Sequence, residues 1–309
     1  MHLFLRIIRK LRHYVVVLTA NILLSLIAIV KKRSTRWLII CYPLGDTCYG
    51  LAFSRYLESK GKCKYVVCKN QKQLIVDCYP CISTDDVYYY ARKGFWNDVI
   101  TYISFHYYVN RFYGKFNIIA TIPYAYYRET DYIQESYLNY LRKMFKLNSE
   151  IPSMRPLVPF CECPIKADKM AILNPFSNSM EIDNELYWEE IAFYLLDKGF
   201  AVYTNVLKNQ TPIKNTKPLD CNIFDLYNIV NQNKSLFISV RSGIVDFLIG
   251  SEAKFLVIYY LDENLILKSL RNFCNLTMWE QGKDNVVEVE SNDNRIVEKT
   301  HLFIEKYSN

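Results

Sequence analysis

The chain has 309 residues, 51% of them hydrophobic and 22% charged, which suits one large domain or two ordinary ones and excludes a disordered chain. Its net charge of +7 is concentrated in Arg6, Arg9, Lys10, Arg12, Lys31, Lys32, Arg33 and Arg36, and the remainder is close to neutral. A nucleic-acid binder carries its basic face on the folded domain itself, so this distribution argues against nucleic acid and for an anionic membrane surface as partner.

Residues 1–36 form a basic and apolar, membrane-associating segment. Tyr14 to Val30 is apolar between basic flanks, slightly short of the ~20 residues that span a bilayer. Arg6, Lys10, His13, Asn21, Ser25 and Ala28 recur at helical spacing and give one long helix a narrow polar or small stripe. Three placements remain open at this point: a helix lying in the interface, a short span, and a helix packed on the protein itself.

From Trp37 strands and helices alternate. WLIICY is a buried-strand candidate, Pro43-Leu44-Gly45-Asp46 a turn, and Tyr49 to Ser59 a helix ended by Gly61. KYVVC is a strand, KQLIVDC a helix or a strand, and the aromatic-rich Val87 to Val109 resists division. Asn117 to Ile122 is strand-like and Asp131 to Phe145 has helical period. Residues 37–150 thus form a first α/β domain. Pro152, Pro156, Pro159 and Pro164 punctuate residues 151–165, which read as a linker.

A second domain covers residues 166–290. KMAILNPFSN is a strand running into a polar turn. Asp183 to Lys198 is an amphipathic helix with Leu186, Tyr187, Ile191, Tyr194 and Leu195 inward, closed by Gly199. AVYTNV is a strand and Ile223 to Asn231 a helix with Asp225 in its first turn. Leu236 to Tyr260, LFISVRSGIVDFLIGSEAKFLVIYY, then reads strand, tight polar turn, short helix, strand. Residues 291–309 are a tail helix able to cross back to the first domain. Alternating units of this kind predict an α/β fold of two Rossmann-like, doubly wound domains facing across a cleft, preceded by the apolar helix.

Ten cysteines match no metal or disulfide framework. Cys78 and Cys81 make a single CxxC without a second, and Cys41, Cys48, Cys63, Cys68 and Cys221 sit in or beside apolar runs as small hydrophobes. Unpatterned cysteine suggests a reducing compartment. With the basic N-terminus this predicts the cytoplasmic face of the inner (plasma) membrane.

Three polar turns close strands: Gly45-Asp46, the run Asn174 to Ser179, and Arg241-Ser242-Gly243. Amides and positive charge at such corners favour anions. LIICYPLGDTCYGLAFSRYL, AILNPFSNS followed by Trp188, and SVRSGIVDF together resemble the GT-B glycosyltransferases, and more narrowly the heptosyltransferases that build lipopolysaccharide cores. The resemblance departs from that family at Arg241, where an acid is usual, and at Asp246, where His is usual. Arg at the third turn is similar to fucosyltransferase-like GT-B proteins.

The resemblance implies a metal-independent, inverting glycosyltransferase. It would transfer a sugar from a nucleotide-sugar donor, a substrate and not a cofactor, to a surface-polysaccharide or lipid-linked acceptor. It also implies Asp46, supported by Gly45, as catalytic base. Arg241, Ser242, Gly243, Asn174, Ser177, Asn178 and Ser179 would bind the donor, with Asp246 in support. An Arg–phosphate pair at ~4 Å contributes up to ~4 kcal/mol before desolvation. The residues themselves leave simpler readings open: Asp46 as a helix cap, the turn from Asn174 as a capped turn, and Arg241–Asp246 as a structural ion pair. A non-catalytic, membrane-tethered binding protein that retains the fold is the alternative function.

Overall fold

The computed structural model describes residues 2–31, 36–42, 44–61, 63–105, 114–120, 137–163, 165–176, 185–206, 210–259, 285–290 and 295–308. The chain divides into two compact units, Met1–Leu157 and Val158–Asn309.

Unit 1 opens with α1 (His2–Lys31), followed by β1 (Leu38–Ile40), α2 (Leu44–Gly50), α3 (Ser54–Lys60), β2 (Lys64–Cys68) and α4 (Lys72–Cys78). β3 (Val87–Tyr90), α5 (Phe95–Phe105), β4 (Ile118–Ala120) and α6 (Tyr137–Met144) complete it. The sheet runs β3-β2-β1-β4 and every neighbouring pair is parallel. Alternate residues of each strand face opposite sides. Leu38, Ile40, Ile118 and Ala120 point to a cluster with α1 and α5. Ile39, Ile119, Tyr65 and Val67, of the other parity, are equally buried. Both faces of the sheet are therefore covered, as a parallel sheet requires.

The structure divides several stretches differently from the sequence reading. The helix expected from Tyr49 to Ser59 is two helices, and the first begins at Leu44, before the expected turn has ended. KQLIVDC is helical, and the aromatic stretch resolves into β3 and α5. α1 is 30 residues long, and the segment long and apolar enough to cross a bilayer is Arg9–Val30, wider than the run first read. Its buried stripe is Val16, Ala20, Leu24 and Ala28. Of the polar stripe Ala28 belongs to it, whereas Lys10, His13 and Ser25 are exposed, the Asn21 amide bonds back to the Val17 carbonyl at 2.9 Å, and the Arg6 side chain lies outside what is described.

Unit 2 contains β5 (Met170–Asn174), α7 (Glu185–Asp197), β6 (Ala201–Asn205), β7 (Lys217–Leu219), α8 (Ile223–Gln232) and β8 (Leu236–Val240). α9 (Gly243–Leu248), β9 (Lys254–Tyr259), β10 (Val286–Glu290) and α10 (Ile296–Ser308) follow. The all-parallel sheet has the order β10-β9-β8-β5-β6-β7. Counted within the unit this is 6-5-4-1-2-3, the doubly wound dinucleotide-binding order. Leu173, Ile238 and Ile258 on one face pack with Trp188, Ile191 and Leu195 of α7 and Phe303 and Ile304 of α10. Ile172, Phe237, Phe255 and Val257 are buried on the other.

α7 ends where Gly199 adopts a φ of 79°. The Gly199 and Phe200 amides donate back to Leu196 and Leu195, a glycine-dependent C-terminal cap. α10 packs on α7 and β10 of its own unit. The proline-rich connection is held by hydrogen bonds from its backbone within each unit. Met154 and Leu157 donate to Ala52 and Cys78, and side chains Asn228, Gln232 and Asn233 of the α8 end grip Cys161, Cys163 and Ala167.

Candidate functional site

In an open doubly wound sheet, ligands bind beyond the carboxyl ends of the strands where strand order reverses. In unit 2 that point lies between β5 and β8. β5 ends at Asn174, and β8 runs into Arg241, so Pro175 and the RSG turn leave from its two sides. The register places Asn174 opposite Ser239. Their side chains meet: Asn174 Nδ2 donates to Ser239 Oγ at 2.8 Å, and Asn205 Nδ2, at the end of β6, donates to Asn174 Oδ1 at 2.7 Å. Ser239 Oγ in turn donates to the Val240 carbonyl at 2.6 Å.

Asn174 is 1% exposed, so this chain of bonds is a buried cross-strand tie. It fixes three strand ends relative to one another, and the Asn174 amide has both its ends engaged. Sequence reading singled out Asn174 but not Asn205 or Ser239. The available signal was a polar residue at or near the end of each of three strands. Pro175 and Phe176 follow, whereas Ser177, Asn178 and Ser179 lie outside the described residues.

The Arg241 amide makes the last rung to β9, donating to the Ile258 carbonyl at 2.8 Å. Its guanidinium meets Asp246 in a two-point contact, Nη1 to Oδ2 at 2.9 Å and Nη2 to Oδ1 at 2.6 Å, and Nη1 also donates to the Ser242 carbonyl at 2.9 Å. The side chains are 12% and 3% exposed. Ser242 is the cap residue of α9 with extended backbone, its side chain makes no cap bond, and its buried Oγ has no hydrogen-bond partner among the described residues. Gly243 opens α9, which has only six residues, so its dipole adds little and the corner's positive charge is that of Arg241, largely offset by Asp246.

In unit 1 the strand order reverses between β1 and β4, and the β1 exit leads into α2. Gly45 and Asp46 occupy the first turn of that helix; the Asp46 side chain lies outside what is described. Thr47 Oγ1 donates to Gln71 Oε1 at 2.7 Å, and Gln71 Nε2 donates to the Tyr42 carbonyl at 3.3 Å. Gln71 thereby ties the β1–α2 connection to the end of β2. Neither Thr47 nor Gln71 stood out in the sequence, because their pairing is made only by the parallel register of β1 and β2.

Burial pushes the Cys78 thiol up to about 12, and burial beside Asp225 and Asp220 does the same for Cys221. Both are thus poor nucleophiles at neutral pH. Among the described residues no three His, Cys, Asp or Glu side chains gather as a metal-binding group.

No family model matches the chain, and no curated protein matches it in sequence. Solved structures do resemble it in fold. The E. coli heptosyltransferase WaaC with ADP superposes with a TM-score of 0.56 at 14% identity, over 88% of this chain and 99% of that one. The same enzyme with ADP-2-deoxy-2-fluoro heptose gives 0.55 at 13% identity, with 88% and 99% covered. A glycosyl transferase of family 9 from Veillonella parvula gives 0.54 at 13% identity, covering 86% and 89%. At such identities the likeness is one of fold: this chain shares with these solved structures an α/β fold, here with two parallel sheets.

Proposed function

We propose that the protein is a glycosyltransferase that moves a sugar from a nucleotide-sugar donor to a surface-polysaccharide or lipid-linked acceptor. The supporting observation is the switch point of unit 2. A guanidinium stands there at the end of β8 with its orientation set by Asp246, and two solved structures of similar fold hold ADP and ADP-2-deoxy-2-fluoro heptose. Arg241 anchors the donor diphosphate, aided by Ser242, Gly243 and the Ser177–Ser179 turn. Asn174 acts through the strand ends it ties. Developing charge on the leaving diphosphate is met by Arg241 and backbone amides, so no metal is needed.

Asp46, at the β1 switch point, deprotonates the acceptor hydroxyl as it attacks the anomeric carbon on the face opposite the leaving group, which inverts the configuration. Unit 2 holds the donor and unit 1 carries the base that serves the acceptor, at the cytoplasmic face of the inner membrane. The identity of the sugar follows from pocket walls beyond these residues.

The test is titration of the full chain with nucleotide sugars, reading the rise in melting temperature that selective binding produces. Arg241→Met/Asp246→Leu, which removes both charges together, is expected to weaken donor binding at least ~10-fold by loss of the phosphate contact. Asp46→Asn is expected to keep donor binding and lower turnover by ~10²–10⁴-fold. Unchanged binding in the first variant removes the anchor role, and unchanged turnover in the second removes the base.

The two-point Arg241–Asp246 contact also favours a second reading, a non-catalytic binding protein of the same fold. There the pair would only brace the turn. Donor binding without transfer or donor hydrolysis, against any acceptor offered, would select it.

A further inference from the structure

Helix α1 has two apolar faces, and unit 1 uses one of them. Val16, Ala20, Leu24 and Ala28 repeat every fourth residue and are buried against the sheet and Val99, Ile100 and Ile103 of α5. On the other face Leu11, Val15, Leu18, Ile22, Leu26 and Ile29 form a continuous stripe, each 50–71% exposed. The steps between them are four and three residues, which keeps them on one side of a helix.

The neighbouring helix extends this surface. Arg12 pairs with Asp98 in the first turn of α5, which brings the start of α5 beside α1. Trp96, two residues earlier, is 56% exposed and stacks edge-on with the exposed Phe95, and Arg92 and Lys93 just before them are exposed as well. Arg9 and Lys10 are exposed near one end of the stripe and Arg36 just past the other. An apolar stripe, a tryptophan at its edge and basic residues at its margins are the composition of a face that sits at a lipid headgroup boundary.

We infer that this face of α1, with Phe95 and Trp96, lies flat in the surface of an anionic lipid bilayer and that α1 does not cross it. The docked stripe from Val16 to Ala28 covers about 18 Å of helix axis, more than half of a hydrocarbon core ~30 Å thick. Crossing would require α1 to leave the sheet and bare the apolar residues of β1, β4 and α5 to water. Lying flat keeps those contacts and buries the outer stripe. A second copy of the chain is a poorer occupant, because both ends of the stripe are basic and like charges meet in either orientation. The inference deepens the membrane association proposed above and stands independently of the transfer reaction.

The experiment is flotation of the full chain with phosphatidylcholine vesicles, with and without phosphatidylglycerol. Binding is expected only with the anionic lipid, with removal by alkaline carbonate and with tryptophan emission quenched by brominated acyl chains. That quenching should disappear in Trp96→Phe. Leu18→Asp/Ile22→Asp should reduce bound protein about 10-fold or more, with circular dichroism and melting unchanged because both side chains point away from the core. Vesicle binding unaffected by that double variant overturns the inference. So does carbonate-resistant binding with a protease-protected N-terminus, the mark of a span, or a solution dimer that the variant dissociates in place of vesicle binding. Loss of sugar transfer with vesicle binding intact bears on the proposed function alone.

Discussion

Arg241 and Asp246 show how one pair of side chains constrains a site. Both are largely withdrawn from water, and their contact uses two nitrogens and two oxygens. A buried pair of this kind is costly to break from one side, since the remaining charge keeps its desolvation penalty without its partner. Arg241→Ala is therefore expected to lower unfolding free energy by roughly 3 kcal/mol or more, and Asp246→Ala by a similar amount. Arg241→Met/Asp246→Leu should cost much less than the sum. Denaturant unfolding of the three variants measures this, and additive losses would show that the pair is not energetically coupled. The same arithmetic makes Arg241→Ala alone an ambiguous probe of ligand binding. The pairing was one of the readings that five-residue spacing allows; only the fold decided it, because the turn before α9 aims both side chains into one corner.

Among the elements, those buried on both faces were legible and those shaped by partners were not. AILN, LFISV and FLVIY read as strands because a central parallel strand is apolar throughout. β10, Val286–Glu290, was missed although Val287 and Val289 face the core and alternate with glutamates. β7 was missed as well: it is three residues long with Pro218 in it, a residue tolerated because β7 is the sheet edge. The turn at Gly45 and Asp46 was expected outside a helix and lies within one. α10 was read as able to cross to unit 1 and packs on α7, an outcome that helical period alone does not encode.

Its attachment to α7 is partly ionic. Lys198 reaches Glu305 at 2.7 Å, the Tyr194 hydroxyl donates to the same carboxylate, and His301 stacks on the Tyr194 ring. Hydrogen bonds from Lys198 and then Tyr194 hold the Glu305 carboxyl below the usual glutamate range. A depressed acid contributes stability at pH above its unfolded value and loses that contribution as pH falls through the folded one. Amide protection of α10 is therefore expected to drop, relative to that of the central strands, as pH falls below about 4. In Glu305→Gln the acid-side drop should vanish. Equal pH dependence in the two proteins, followed by hydrogen exchange, would separate α10 docking from this carboxylate.

At the scale of the whole molecule the two units are built alike but on different foundations. Unit 1 completes one face of its sheet with α1, so its fold and the surface inferred to meet lipid share a helix. Removing residues 1–33 would strip Leu24 and its neighbours from the core, and a Leu-sized loss there costs ~2–5 kcal/mol by itself. Such a truncation confuses unfolding with release from membranes.

Unit 2 needs no helix from outside: α7 and α10 complete one face of its six-stranded sheet, and the Asn205–Asn174–Ser239 tie lies wholly within it. Residues 158–309 expressed alone are accordingly expected to unfold in a single cooperative transition and, under the proposed function, to bind the nucleotide part of the donor with an affinity close to that of the full chain. They should catalyse no transfer, since Asp46, the proposed base, belongs to unit 1. Calorimetric titration of fragment and full chain with the same nucleotide sugar decides the matter. A folded fragment that binds more than ~10-fold more weakly, a difference of about 1.4 kcal/mol, would mean that unit 1 supplies part of the donor site and that the switch point of unit 2 is only half of it.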